Sequence, residues 1–148
     1  MMQQFRFPLF IDLHGKRAVV VGGGKIALRR VAVLKSFGAE ITMIAPECKN
    51  IPDGISYHSR PYETGDLHDA FLAVAATDDR EVNRKVGCDA ARDHIFVSVA
   101  DSREESTFFF PAVCTGNGLV SGVVSDGTDH GKTARAAKKI RKLLEETE

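Results

Sequence analysis

Short apolar runs alternate along the chain with stretches in which apolar residues recur every three or four positions. Residues 18–21 form the first run and end in three consecutive glycines, which predicts a buried parallel strand. Ala27, Val31, Leu34 and Gly38 then share one helical face, with Lys25, Arg29 and Lys35 mostly elsewhere, and Gly38 supplies a stop. Residues 41–45 predict the second strand, closed by Pro46, so this stretch has the size of one β-α-β unit. A weak third strand is expected over residues 55–59, a short helix over 66–70, and a central strand over 71–76 that Thr77-Asp78-Asp79 breaks. Asp78 with Glu81 three residues on has the spacing of a capping box, opening a helix that turns Val82, Val86 and Ala90 inward. Residues 94–99 predict the next strand, ending near Asp101.

The alternation stops there. Residues 108–113 and 119–124 predict two strands, and Asn117-Gly118 between them is a hairpin signal. A last helix over residues 132–145 turns Thr133, Ala137, Ile140 and Leu144 inward. The expected architecture is one α/β domain over residues 1–148, a Rossmann-type fold with a mostly parallel sheet and a C-terminal antiparallel hairpin plus helix.

Residues 22–27 read Gly-Gly-Gly-Lys-Ile-Ala and fit G-x-G-x-x-A. Gly22 permits the turn out of the strand, Gly24 lets backbone approach a pyrophosphate, and Ala27 allows close helix–sheet packing. The phosphates would then lie at the positive end of the helix dipole. The match has the context it needs, a strand before it and a helix after it. The usual ribose-binding acid belongs at the end of the second strand, where this chain has Ala45-Pro46 and then Glu47. Glu47 either reaches the ribose hydroxyls or stands in solvated loop. No arginine follows at once to hold a 2′-phosphate, which favours NAD over NADP.

Composition narrows the class. Lys plus Arg and Asp plus Glu are both 20, which argues against a general nucleic-acid binder. Cys48, Cys88 and Cys114 are widely spaced, a pattern that suits a reduced cytoplasmic protein better than a disulfide framework or zinc site. No signal-peptide pattern opens the chain, and no run of about 20 apolar residues occurs that would predict a membrane span. His14, His58, His68, His94 and His130 form no metal-binding spacing, and no metal ligand is expected.

Several segments resemble one family. Residues 7–13, 19–27 and 45–47 are similar to the start of the precorrin-2 dehydrogenase domain of siroheme synthase. Residues 75–79 with Val82-Asn83, and residues 97–101 followed by 108–111, match two further segments of that family in the right order. The resemblance implies NAD-dependent oxidation of precorrin-2, a tetrapyrrole, to sirohydrochlorin; some relatives also insert ferrous iron. It assigns the catalytic role to Asp101 and cofactor binding to Gly22, Gly24, Lys25, Ile26, Pro46 and Glu47, with Thr77 nearby.

The residues support that chemistry on their own terms. Asp101 follows the carboxyl end of a predicted strand, where open α/β sheets bind ligands, and could accept a proton as hydride leaves for nicotinamide. The alternative is a cap for a turn or short helix over residues 102–105. The chain departs from the family at Ser98, where Asn is usual, and over residues 125–131, where a Ser/Gly-rich stretch with Ser-Pro is usual. Relatives continue into a helical dimerisation domain beyond the position of Glu148, so weak self-association at best is expected of this chain. Lys132, Arg135, Lys138, Lys139, Arg141 and Lys142 make a basic last helix, read as a solvated face or as a surface that attracts a polycarboxylate substrate. Residues 108–110 are expected to be strand core rather than a stacking surface. Two non-catalytic alternatives remain: a nucleotide-sensing Rossmann module, and a relative that binds NAD or tetrapyrrole without turnover. Sensing modules normally carry an acid at the very end of the second strand.

Overall fold

The computed structural model describes residues 5–148, the side chain of residue 130 excepted. The reading of residues 1–4 and of the His130 side chain lies outside it. Two compact units are present, Asp12–Phe109 and Phe110–Glu148, the latter with the described residues up to Ile11.

The first unit contains five strands, β1 (Arg17–Val21), β2 (Glu40–Ile44), β3 (Ser56–His58), β4 (Leu72–Ala75) and β5 (Phe96–Val99), with helices α1 (Lys25–Ser36) and α2 (Arg80–Arg92). All neighbours pair in parallel, in the order β3-β2-β1-β4-β5. This is Rossmann-type winding, with the change of direction beside β1. The near-continuous burial of β1 and β4 follows from covering on both faces. On one face Val19, Val21, Ile44, Ala73, Ala75, Val97 and Val99 pack with Val86 and Ala90 of α2. Alternate residues point the other way, and α1 packs on β1 and β2, burying Ala27, Val31 and Leu34. Gly38, at φ 82°, ends that helix in the left-handed region, which glycine adopts at least cost.

A buried polar network ties α2 to the segment before β4. The Tyr62 hydroxyl donates to Asp89 Oδ2 at 2.8 Å, Thr64 Oγ1 to the same oxygen at 3.3 Å, and Arg92 Nη1 to Asp89 Oδ1 at 3.3 Å. Burial first, then the bond to Asp89, pushes the Tyr62 phenol well above its ordinary range.

The second unit holds an antiparallel hairpin, β6 (Ala112–Gly116) and β7 (Leu119–Val123), and helix α3 (His130–Glu146). Asn117 and Gly118, at φ 49° and 77°, make the two-residue turn their sequence promises. Cys114, Ala137 and Leu144 form its small core, with Ala112 and Ile140 packed against it. Asn117 also reaches α3, its Nδ2 donating to the carbonyls of Leu144 (2.9 Å), Glu145 (3.2 Å) and Thr147 (2.9 Å). The hairpin turn thereby caps the helix C-terminus. Among the described residues no helix is long and apolar enough to cross a membrane.

Four expectations differ from the structure. Residues 66–70 are turn and loop, not a helix: Gly65 and Asp69 have φ of 104° and 57°, and the Arg17 guanidinium takes the Asp66 and His68 carbonyls. Residues 108–111 lie outside any strand. Hydroxyls take the outer N–H groups of β5, Val97 N donating to Thr107 Oγ1 at 2.8 Å and Val99 N to Ser106 Oγ at 2.9 Å, and backbone there adds only the bonds of Thr107 N and Phe108 N to Val97 O. The cap of α2 is Asp79 rather than Asp78, its carboxylate accepting from Glu81 N and Val82 N. Strand β5 begins at Phe96, because His94, at φ 55°, lies in the turn that leaves α2.

Candidate cofactor and proton-transfer site

Four crossings of the sheet's carboxyl edge gather the sequence-predicted residues. Chain leaving β1 carries Gly22 to Gly24, chain leaving β2 carries Pro46 and Glu47, and chains leaving β4 and β5 carry Thr77 and Asp101. Such an edge, beside the strand where the winding reverses, is where open α/β sheets hold ligands.

The three glycines answer to different demands. Gly22, at φ 131°, donates its N–H to Ile44 O at 2.9 Å, and a Cβ there would overlap the Ala76 carbonyl oxygen. A Cβ on Gly23 would overlap the Glu47 carbonyl oxygen. A Cβ on Gly24 would meet no protein atom within 4 Å. Nothing inside the chain therefore requires glycine at position 24; an outside group approaching the backbone would. Gly24 is also the N-cap of α1, without a side-chain cap and without an acidic residue in the first turn. First-turn N–H groups left uncapped at the positive end of a helix suit a pyrophosphate. Lys25 and Ile26 are exposed beside them, and Ala27 is fully buried, as close helix–sheet packing needs.

The loop after β2 is anchored by its neighbour. Ala45 N donates to His58 O at 3.2 Å, the Tyr57 hydroxyl to Ala45 O at 2.8 Å, and Ser59 Oγ to Pro46 O at 3.1 Å. Pro46 and Glu47 stand exposed on that anchored turn.

After β4, the Thr77 side chain turns inward. Its Oγ1 lies 2.7 Å from Asn83 Oδ1, its N–H donates to the same oxygen at 3.0 Å, and Asn83 Nδ2 returns a bond to Thr77 O at 3.0 Å. Asn83 is fully buried on α2. The Thr77 hydroxyl is thus occupied within the protein, and what the turn offers outward is backbone.

After β5, Ala100 N donates to Ala75 O at 2.9 Å, which fixes the start of the turn carrying Asp101. Arg80 Nη1 donates to Asp101 Oδ1 at 2.5 Å, and Arg80 Nη2 bonds Glu105 Oε2. The capping bond of the 102–105 turn comes from Ser102, whose Oγ accepts from Glu105 N at 3.3 Å. Below Asp101, the buried Ser98 hydroxyl accepts from Arg30 Nη1 at 3.1 Å. Burial, and then the charge of Arg29, holds the Arg30 guanidinium below its usual value. Among the described residues no group of three His, Cys, Asp or Glu side chains could hold a metal ion.

Sequence reasoning passed over Gly23, Asn83, Arg80 and Glu105. A run of three glycines was a usable signal for the second close approach. So was an Asn lying between the inward positions Val82 and Val86 of α2. The Arg80 pairings span 21 and 25 residues and leave no local trace.

Known proteins resemble this chain in sequence and fold. A family described as "Putative NAD(P)-binding" matches residues 9–112. A "Probable multifunctional siroheme biosynthesis protein HemA" of Ruminiclostridium josui is 46% identical over 154 aligned positions, covering 97% of this chain and 29% of that protein. A "Siroheme synthase" of Methylobacillus flagellatus is 39% identical over 127 positions, covering 82% of this chain and 27% of that protein. The chain thus spans under a third of the length of these relatives. The solved structure of "SirC, precorrin-2 dehydrogenase" superposes with a TM-score of 0.78 at 27% identity, over 93% of this chain and 71% of that one. The chain belongs to this NAD(P)-binding family, and its resemblance to the dehydrogenase domain of siroheme synthases is borne out.

Proposed function

We propose that this chain oxidises precorrin-2 to sirohydrochlorin with NAD, as a step of siroheme biosynthesis. The observation that carries the reading is the pairing of two features on one sheet edge. One is a glycine turn whose third member is glycine for no internal reason, and the other is a carboxylate just beyond β5.

Gly22, Gly24, Lys25 and Ile26 would hold the pyrophosphate through backbone N–H groups and the α1 dipole. Pro46 and Glu47 would border the ribose, Glu47 accepting from its hydroxyls; the absence of an arginine directly after them favours NAD over NADP. Thr77 would present backbone to the cofactor. NAD, when bound, supplies the hydride acceptor. The substrate loses a hydride and a proton, a two-electron oxidation, and Asp101 is the group assigned to take the proton. Free thiols at Cys48, Cys88 and Cys114 suit the cytoplasm.

Anaerobic incubation of the chain with precorrin-2 and NAD, followed by absorbance, tests the proposal. Formation of sirohydrochlorin with matching NADH supports it. NAD binding without turnover would instead favour the non-catalytic reading.

A further inference from the structure

Arg80 is a costly choice for its position. It is the first residue of α2, at the positive end of the helix, where acidic residues stabilise and cations oppose the dipole. Two carboxylates from the turn after β5 meet it there, Asp101 on Nη1 and Glu105 on Nη2. Each arm of the planar fork holds a different acid, so the guanidinium is fixed at two points.

Its own anchorage is firm. Asp79, just before it, caps α2 through Glu81 N and Val82 N, and the buried Asn83 side chain pins the Thr77 turn ahead of that. Asp101 stands on an exposed turn, its side chain as accessible as that of Arg80 (40% against 41%), and a partner is what keeps it from changing rotamer. Arg80 engages only Oδ1; among the described residues Oδ2 meets no donor.

We propose that Arg80 is a positioning residue, one that clamps the Asp101 carboxylate against Glu105 as counter-anchor and leaves Oδ2 directed to the substrate proton. The inference rests on the dehydrogenase reading given above. Proton removal demands that a base be held within hydrogen-bond reach, and small misplacements of a reacting group are expensive. Lysine cannot substitute fully, because an ammonium is a point charge and cannot hold two acids in one plane.

The test uses Arg80→Gln, Arg80→Lys and Arg80→Ala in the 148-residue chain. Arg80→Gln is expected to lower kcat about 10–100-fold with the KM for NAD nearly unchanged. Arg80→Lys should recover part of the loss, and added guanidine should partly restore Arg80→Ala. A loss that only follows the melting temperature, with neither kind of rescue, overturns the proposal. A second measurement needs no turnover. The 13Cγ resonance of Asp101, assigned with Asp101→Asn, should move in Arg80→Gln, and an unmoved resonance also overturns the clamp. A wild-type chain that binds NAD but does not oxidise precorrin-2 would tell against the dehydrogenase reading, while the carbon resonance still decides the clamp.

Discussion

Replacing Gly24 with Asp should stabilise the fold and strongly weaken cofactor binding at once. The residue is the N-cap of α1, with φ −88° and ψ −171°, extended backbone open to any side chain. Space is free, since an added Cβ meets no protein atom within 4 Å. Asp is among the best N-cap residues, and an acid there also favours the dipole, so the gain should be about 0.5–1 kcal/mol. For a chain of this size that raises the melting temperature by roughly 1–4 °C. NAD binding should respond in the opposite sense. The new carboxylate occupies the N–H groups meant for the pyrophosphate and repels it. Losing a charge-assisted hydrogen bond and adding like-charge repulsion costs about 3–4 kcal/mol, or on the order of 10²–10³ in affinity. Gly22→Ala is the contrasting variant. Its φ of 131° and the overlap of a Cβ with the Ala76 carbonyl make the substitution strained. A loss of about 3–4 kcal/mol is expected, a fall of roughly 6–16 °C. Calorimetric titration with NAD and thermal melts on the three proteins read both quantities. Equal NAD affinity in wild type and Gly24→Asp would refute the assignment of this loop; a lowered melting temperature in Gly24→Asp would refute the capping argument.

Asp101→Asn should cut NAD-dependent oxidation of precorrin-2 by roughly 10²–10⁴-fold. Its effect on stability should stay within about 1 kcal/mol, because the Arg80–Asp101 pair is solvent-accessible; steady-state kinetics with a thermal melt check both. Asn117→Ala removes the α3 cap and puts a poorly suited residue at φ 49°, costing about 1–3 kcal/mol, whereas Asn117→Gly loses only the cap and should cost about half as much, as denaturant titration would show. The bidentate bond from Arg60 holds the Asp66 carboxyl below its ordinary range, so it contributes stability that is present above the unfolded-state value of about 3.9 and is lost as pH falls through the lowered folded value. Asp66→Asn should therefore flatten the acid limb of the melting temperature between about pH 5 and 2. The apolar stripe of α3 is used within its own unit, Ala137 and Leu144 packing on Cys114, so sedimentation at several concentrations should find at most a weak dimer, and a tight dimer at low concentration would contradict this.

Elements with a strong local rhythm are legible in the sequence itself. The run before Gly22, the Ala27–Val31–Leu34 face and the Asn117-Gly118 turn each declare themselves over a few residues, and the structure has them in place. Errors arose where a distant group decided the local conformation. Arg17 draws the carbonyls of Asp66 and His68 out of any helical pattern, although residues 66–70 alone carry a plausible one. Apolar residues 108–110 read as strand, but the Thr107 and Ser106 hydroxyls have already satisfied the neighbouring N–H groups of β5. Capping by Asp79 rather than Asp78 is a one-residue choice that periodicity does not resolve. At the candidate site, contiguous Gly22 to Ala27 was visible as a motif. The Arg80 fork joins two segments that only the packing of α2 against β5 brings together.

The glycine turn also has a history in the folding of the chain. All six of its motif residues are contiguous, yet its shape is made by later strands: Gly22 N bonds Ile44 O, and Ala76 N bonds Val21 O at 2.8 Å. Strand β1 sits at the centre of the sheet and waits for Leu72 to pair with Ala18, a closure across more than fifty residues. Until that strand arrives, β1 has an unsatisfied apolar edge and the turn has no wall at Ala76. A fragment ending after β2 would carry the whole motif and should bind NAD weakly or not at all. Long-range closure of this kind is slow relative to local helix formation. Because the cofactor recognises only the closed sheet, NAD should act as a stabiliser of the folded state, raising the melting temperature in proportion to the logarithm of its concentration once the site is saturated.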